Sequence, residues 1–334
     1  MRWVLRTLAL LYFLGLLAAL AAMRFVGERD IVTASMVFLP IQIWIYPAYG
    51  ILLLCLIWDR RLAVIMVALI AWYILGYLRP EYNEWLPRMD GDVTIVSCNL
   101  GTSRVEHLKP FLEREQPDVI AFQEVNGLQP PIVAAFPEMH AMSFDQFLLL
   151  SRLPILNVKV IEMTTLTRRV PCVARFELES EGKRFVLYNV HMPTPRFLLD
   201  QVRRKPSILV PGVNRRRREY LEAEWRNRVT QIDELIAVVE KETLPMLLVG
   251  DFNMPSQGVE YPKFGSRFLD AFRERGRRFG NTFPCDQNPP LRYFAPWSRL
   301  DYQFADANWE VCYFNLEKGR RAQHRATAAR FRLK

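Results

Sequence analysis

Leu244-Pro245-Met246-Leu247-Leu248-Val249-Gly250-Asp251-Phe252-Asn253 reads as a short buried strand that ends in a carboxylate and an amide. Side chains alternate across a strand, so Asp251 and Asn253, two apart, face the same side. A carboxylate so placed can polarise a water, and a neighbouring amide can hydrogen-bond a developing oxyanion. Phosphoester hydrolysis needs that pair of tasks. Alone, the tetrapeptide is weak, so its meaning depends on what else the chain supplies.

Similar strand ends recur. Val93-Thr94-Ile95-Val96-Ser97 is β-branched and apolar and is followed by Asn99. Val119-Ile120-Ala121-Phe122 runs into Gln123-Glu124. A glutamate at the C-terminal end of a buried strand is suited to Mg²⁺, which prefers oxygen ligands. The strand Val186–Val190 ends at His191, and Asp301 lies within the apolar stretch Leu300–Phe304. A carboxylate in such a stretch needs a partner, and a histidine would serve. Between the strands, Val105, Leu108, Phe111 and Leu112 have helical spacing over 103–115. Leu221, Trp225, Val229, Ile232, Leu235, Ile236 and Val239 have it over 219–242. Further strands are expected at 147–150, 184–190, 299–305 and 309–316. Alternating strands and helices imply a layered α/β domain.

The first 80 residues differ in kind. Residues 7–23, 31–58 and 62–78 carry no charge, although the chain as a whole is only 51 % hydrophobic. Each run approaches or exceeds the roughly 20 apolar residues that cross a bilayer, so about three spans are expected. The middle run contains Pro40 and Pro47 and is long enough to kink or re-enter. The first run also has features of a cleavable leader, with Arg2 and Arg6 before it and Ala19-Leu20-Ala21 within it. Either way the chain leaves the membrane on the same side. Arg2, Arg6, Arg60 and Arg61 would lie inside, which places the domain after residue 90 outside the cytoplasm of a multi-pass inner-membrane protein. Residues 81–91, with Pro87 and Asp90-Gly91, read as a linker, and 92–334 as the main domain.

Residues 1–90 hold 8 basic and 6 acidic side chains, leaving +7 of the net +9 to the main domain. Seven basic residues and no acid fall between 203 and 218: Arg203, Arg204, Lys205, Arg215, Arg216, Arg217 and Arg218. They form either a solvated loop or a contact for the phosphates of lipid head groups or nucleic acid. The five cysteines show no metal-ligand spacing, and Cys98 and Cys172 belong to apolar strands.

Ser97-Cys98-Asn99-Leu100, Pro117 to Glu124, Leu150 to Ile155, Asn189-Val190-His191, Gly250 to Asn253, Thr282-Phe283-Pro284, Arg299 to Tyr302 and His324 occur in this order. Together they resemble the endonuclease/exonuclease/phosphatase superfamily, the DNase I-like fold, over residues 92 to about 332. The resemblance implies a four-layer α/β sandwich with two central mixed sheets, and a divalent metal, Mg²⁺ or Mn²⁺. It implies Glu124 as the main metal ligand with Asn99 beside it. Asp251 would activate the attacking water, Asn253 would stabilise the phosphorus centre, and His191 would touch the phosphate. His324, protonated and oriented by Asp301, would bind the scissile group. One departure stands out: the resemblance expects an aspartate before His324, and this chain has Gln323. The expected function is a membrane-anchored phosphoesterase acting on a phosphodiester or phosphomonoester. The alternatives are a nuclease, or a tethered phosphate- or lipid-binding module whose site has decayed.

Overall fold

Val93 and Ile95 face one way and Val96 and Cys98 the other, and both faces are buried. The same split holds for Leu247 and Val249 against Met246 and Leu248. Strands that are apolar on both faces lie inside a layered domain. A computed structural model describes the chain except residues 84, 85, 88, 102, 165–168, 211, 289, 290 and 319–321.

The strands are β1 (Glu81–Tyr82), β2 (Val93–Asn99), β3 (Val119–Gln123), β4 (His140–Phe144), β5 (Phe147–Ser151), β6 (Ile155–Thr164) and β7 (Arg169–Ser180). There follow β8 (Lys183–His191), β9 (Met246–Asp251), β10 (Leu269–Asp270), β11 (Arg277–Arg278), β12 (Asp301–Ala305), β13 (Trp309–Leu316) and β14 (Thr327–Leu333). Two six-stranded sheets form, in the orders β13-β14-β2-β3-β5-β4 and β10-β12-β9-β8-β7-β6. Each is mixed: β2 and β3 are parallel, β8 and β9 are parallel, and the other pairs are antiparallel. The inner faces meet around Ile95, Leu149, Phe176, Leu187, Val249, Trp309 and Phe331. One outer face is covered by the helix Lys109–Glu115 through Phe111 and Leu112. The helix Arg215–Val239 covers the other through Ile232, Leu235, Ile236 and Val239. The result is the expected four-layer sandwich.

Three amide side chains bridge the sheets. Gln123 Nε2 donates to Asn189 Oδ1 at 2.6 Å, and Asn189 Nδ2 donates to the Phe122 carbonyl. Gln303 Nε2 donates to Thr327 Oγ1 and to the Ile95 carbonyl. Both glutamines are fully buried, where an unpaired polar group costs on the order of 1–3 kcal/mol.

Sequence patterning missed β4, β6, β7 and β14. β4 and much of β6 are exposed, and Arg330 and Arg332 interrupt the apolar run of β14. Such strands lack the two-sided apolarity that marks the central ones.

Three N-terminal helices are long and apolar enough to cross a membrane: Arg2–Phe25, Ile41–Trp58 and Arg60–Leu78. They pack on each other through Leu16, Leu20, Ala48, Cys55, Met66 and Tyr73, and they expose Leu10, Leu11, Ile57, Val64 and Ile65 outward. Arg6 Nε pairs with Asp59 Oδ2 at 2.8 Å, joining the start of the first helix to the turn between the other two. The apolar run 31–58 is divided. Its first part is the short helix Ile31–Val37, capped by Asp30, whose carboxylate accepts the Val32 and Thr33 N–H groups. Ile31 and Ala34 lie against Leu198, Leu221 and Trp225 of the main domain. Burying Ile31 there contributes about 2 kcal/mol. Residues 81–91 begin with β1, which pairs with β11. Among the described residues no disulfide forms.

Candidate active site

In a parallel pair both strands end at the same place. β2 and β3 deliver Asn99 and Gln123 as register partners, with Glu124 next in the chain. β8 and β9 deliver His191 opposite Asp251. The antiparallel strand β12 sets Asp301 opposite Asp251. These strand ends converge at one end of the sandwich, and His324 arrives from the segment before β14. Glu124 and Asn253 have φ of 56° and 48°, in the left-handed region. Such residues cost on the order of 1–3 kcal/mol and gather at functional sites. Asparagine tolerates this region well and glutamate poorly, so the turn that aims Glu124 is the strained one.

Asp251 is 1 % exposed and lies at the centre. Its Oδ1 accepts the Asn253 backbone N–H at 2.8 Å. Its Oδ2 accepts Asn99 Nδ2 at 3.0 Å and Asn253 Nδ2 at 3.2 Å. His324 Nε2 is 3.6 Å away and His191 Nε2 3.8 Å away. Burial pushes the Asp251 pKa above the ordinary carboxylate value, and the charge of His324 opposes that. Asn99 Nδ2 also donates to Glu124 Oε1 at 3.0 Å, and His191 Nε2 is 3.3 Å from the same oxygen. The Glu124 side chain is 37 % exposed and marks the mouth.

His324 Nδ1 meets Asp301 Oδ2 at 2.9 Å, and the ring packs on Phe283 with centroids 4.6 Å apart. Asp301 is fixed in turn: Thr282 Oγ1 accepts the Leu300 and Asp301 N–H groups. Burial alone would lower the imidazole pKa. The Asp301 and Asp251 charges and the Asp301 hydrogen bond outweigh it and raise the value to about 9. The folded value exceeds the ordinary 6.5, so protonated His324 adds stability that is complete below about pH 6.5 and lost as pH rises through about 9. Asp301→Asn removes the strongest raising influence. The alkaline limb of kcat/KM is therefore expected to move toward neutral by about 1–3 pH units. A limb that stays in place in the variant would remove His324 as the titrating group.

Two places could accept a metal. Ligand atoms of Asp251, Asp301 and His324 lie within 4.8 Å of one another. There, however, His324 Nδ1 and Asp301 Oδ2 already share a hydrogen bond, which suits an imidazolium between carboxylates better than an ion. The second place is beside Gly101, whose φ is +51°. A Cβ built there would lie 3.6 Å from Glu124 Oε2, 3.8 Å from Asn99 Oδ1 and 3.8 Å from Gln323 Oε1. Three side-chain oxygens thus surround a space kept open by a glycine. That is a donor set for a hard cation such as Mg²⁺.

The structure brings Asn99, Glu124, His191, Asp251, Asn253, Asp301, Gln323 and His324 together. Gln323 Oε1 also accepts Arg196 Nη2 at 2.7 Å. The basic segment does not join this cluster: Arg203 and Arg204 end the helix Arg196–Arg204, Lys205 follows it, and Arg215 to Arg218 begin the helix Arg215–Val239. Arg203 pairs with Asp200, Arg215 with Glu219, and Arg218 with Glu222 and Asp30. Arg217 stacks over Phe197 and Tyr220. Sequence reasoning missed Gln146, whose Oε1 meets His191 Nδ1 and orients that ring. It also missed Arg196 and Arg228, which donates from Nη2 to the Asn253 carbonyl at 3.0 Å. None of the three belongs to a motif, and no local pattern marks them.

The sequence model of the Endonuclease/Exonuclease/phosphatase family matches residues 96–315. The chain belongs to that family. Its members are phosphoester hydrolases, and the site just described occupies the matched region and the segment that follows it. No curated protein matches this family member significantly by sequence. Solved structures of the family share its fold. An endonuclease/exonuclease/phosphatase from Beutenbergia cavernae is 14 % identical, with a TM-score of 0.53 over 73 % of this chain and 72 % of its own. One from Bacteroides vulgatus is 13 % identical, with a TM-score of 0.53 over 73 % of this chain and 100 % of its own. The Bacteroides thetaiotaomicron mannosyl-6-phosphatase Bt3783 is 14 % identical, with a TM-score of 0.52 over 72 % of this chain and 99 % of its own. The family match stops short of the N-terminal helices.

Proposed function

We propose that this chain is a membrane-anchored, divalent-metal-dependent phosphoesterase that cleaves a phosphodiester or phosphomonoester presented at a membrane surface. The observation that carries this reading is Asp251: a buried carboxylate held by Asn99 and Asn253, facing two imidazoles, beside an oxygen-lined space. Glu124 and Asn99, with Gln323, would hold Mg²⁺ or Mn²⁺. A bound ion would neutralise phosphate charge and polarise the bond to be cleaved.

The chain's own groups divide the remaining work. Asp251 takes a proton from the attacking water, as its central position and raised pKa allow. His324 is protonated near neutral pH, and its Nε2–H is directed to a phosphate oxygen while Asp301 holds Nδ1–H. Gln146 accepts from His191 Nδ1, which leaves Nε2 facing Glu124 and the substrate space. The Asn253 amide serves Met192 O and Asp251, so its task is to fix the base.

The anchor supports a substrate at the membrane. The basic helices pack against Ile31–Val37, and Arg218 lies 3.6 Å from Asp30, so the cationic segment adjoins the apolar helices. Lipid phosphate is favoured over nucleic acid as the partner of Arg203, Arg204, Lys205 and Arg215 to Arg218 on that ground. Arg2, Arg6, Arg60 and Arg61 gather at the helix ends remote from loop 27–30, and loop 27–30 touches the main domain. With the positive end inside, the main domain faces away from the cytoplasm. A reporter fused to the C-terminus and active only in the cytoplasm would overturn that placement.

The test of function uses the full chain in detergent or nanodiscs with bis-p-nitrophenyl phosphate, p-nitrophenyl phosphate, single-stranded DNA and anionic phospholipid vesicles. Hydrolysis with Mg²⁺ or Mn²⁺ that EDTA abolishes is expected. Binding to vesicles without any turnover would instead establish the tethered binding module. Cleavage confined to DNA would establish the nuclease.

A further inference from the structure

The loop Gly27–Arg29, which follows the first apolar helix, packs into the main domain against the segment that follows Asn253. Glu28 is 0 % exposed, and its Oε2 accepts the Val259 N–H at 2.8 Å. The approach is closer than side chains permit. A Cβ on Gly258 would fall 1.7 Å from Glu28 Oε1, and a Cβ on Gly27 would fall 2.9 Å from Val259 Cγ1. Two glycines, one on each partner, thus make the contact possible.

The segment that receives Glu28 begins at Asn253. Its start is held by Arg228, 6 % exposed, through the Asn253 carbonyl. Its end is Glu260, also 0 % exposed, and neither Glu260 oxygen has a hydrogen-bond partner among the described residues. Burial and the nearby Glu260 raise the Glu28 pKa to about 8, which favours a neutral carboxyl that accepts the Val259 N–H. Residues 253–260 are therefore clamped at one end by Arg228 of the main domain and toward the other by Glu28 of the N-terminal region. Asn253 sets the position of Asp251 through two hydrogen bonds, so the clamp reaches the proposed base.

We propose that Glu28 is a positioning residue of the active site, through which the N-terminal membrane region holds the 253–260 segment, and with it Asn253 and Asp251, in working geometry. The consequence for catalysis rests on the reading given under Proposed function. The clamp itself does not. On this proposal the anchor is a working part of the catalytic centre, and its first loop has a task besides joining two helices.

The test compares full-length wild type, Glu28→Ala, Glu28→Gln and Gly258→Ala in nanodiscs. It reads hydrogen exchange by segment, and kcat and KM for bis-p-nitrophenyl phosphate with Mg²⁺. Glu28→Ala is expected to raise exchange in 253–260 while β2, β3, β8 and β9 stay protected. It should lower kcat about 10- to 100-fold with KM changed less than about twofold. Glu28→Gln, which keeps an acceptor for Val259, should restore most of the rate and the protection. Gly258→Ala displaces the same carboxyl from the other side and should match Glu28→Ala, so either variant suffices if the other fails to fold. Unchanged exchange in 253–260 would overturn the proposal. So would exchange raised throughout the domain, or an unchanged kcat despite a loosened segment. If the wild type cleaves no phosphoester, the functional reading fails, and the exchange data still decide the clamp.

Discussion

Asp251→Asn is expected to lower metal-dependent hydrolysis about 10³-fold or more while the protein stays folded. The carboxylate has two functions that an amide cannot share. On the proposed reading it accepts the proton of the attacking water, and it accepts three hydrogen bonds, from the Asn253 N–H and two side-chain amides, beside the His324 imidazolium 3.6 Å away. An asparagine presents one oxygen and one NH₂ to that shell, so one face meets donors with a donor. The other change is electrostatic. Asp251 and Asp301 together keep His324 charged, and removing one of them lowers the imidazole pKa as well. The rate loss should therefore be accompanied by an alkaline limb moved toward neutral. Circular dichroism and a melting curve on the same preparation separate chemistry from unfolding. Retention of more than about a tenth of the wild-type rate would remove Asp251 as the base.

Gly250→Ala is expected to abolish folding of the domain. Gly250 has φ of +136°, and an added Cβ would fall 2.0 Å from the Val190 carbonyl oxygen and 2.9 Å from its carbon and nitrogen. The residue pairs with Val190 on one side and Tyr302 on the other, so β9 is held between two neighbours and cannot step aside. Relief would require β8 and β9 to part, which would separate His191 from Asp251. The expected cost is above about 4 kcal/mol, comparable with the whole stability of many domains. Loss of the cooperative melting transition and rapid proteolysis of 92–334 are the readouts. A soluble variant that melts within a few degrees of wild type would contradict the assigned backbone geometry. The glycine that opens the Gly-Asp-Phe-Asn motif is thus a condition for placing the aspartate, which explains why the motif begins with it.

The central strands and the site residues at their ends were legible because both signals are local. An apolar run that stops at Asn99, Glu124, His191 or Asp251 announces a buried strand with a polar end, and the order of the motifs supplied the two-sheet sandwich. What was not legible depends on contacts distant in sequence. Gln146 is an ordinary turn residue until His191, 45 positions on, packs against it. Gln123 and Asn189 belonged to motifs, but their bond across the sheets exists only once the sheets face each other. Glu28 is one charge in a short loop between two apolar runs, and its partner Val259 is 231 residues away. The apolar run 31–58 carried no sign that Ile31–Val37 docks on the domain, since a docking helix and a spanning helix share the same uncharged composition.

The two glutamine bridges between the sheets carry no charge. Amides do not titrate, and their bonds are indifferent to ionic strength. The His324–Asp301–Asp251 group, by contrast, changes charge between neutral and alkaline pH. The protein thus mounts a titrating centre beside two inter-sheet bridges that do not respond to pH. Protons can come and go at His324 while Gln123–Asn189 and Gln303–Thr327 keep the strand ends in register. Such a centre can be recharged repeatedly without those two bridges having to readjust each time.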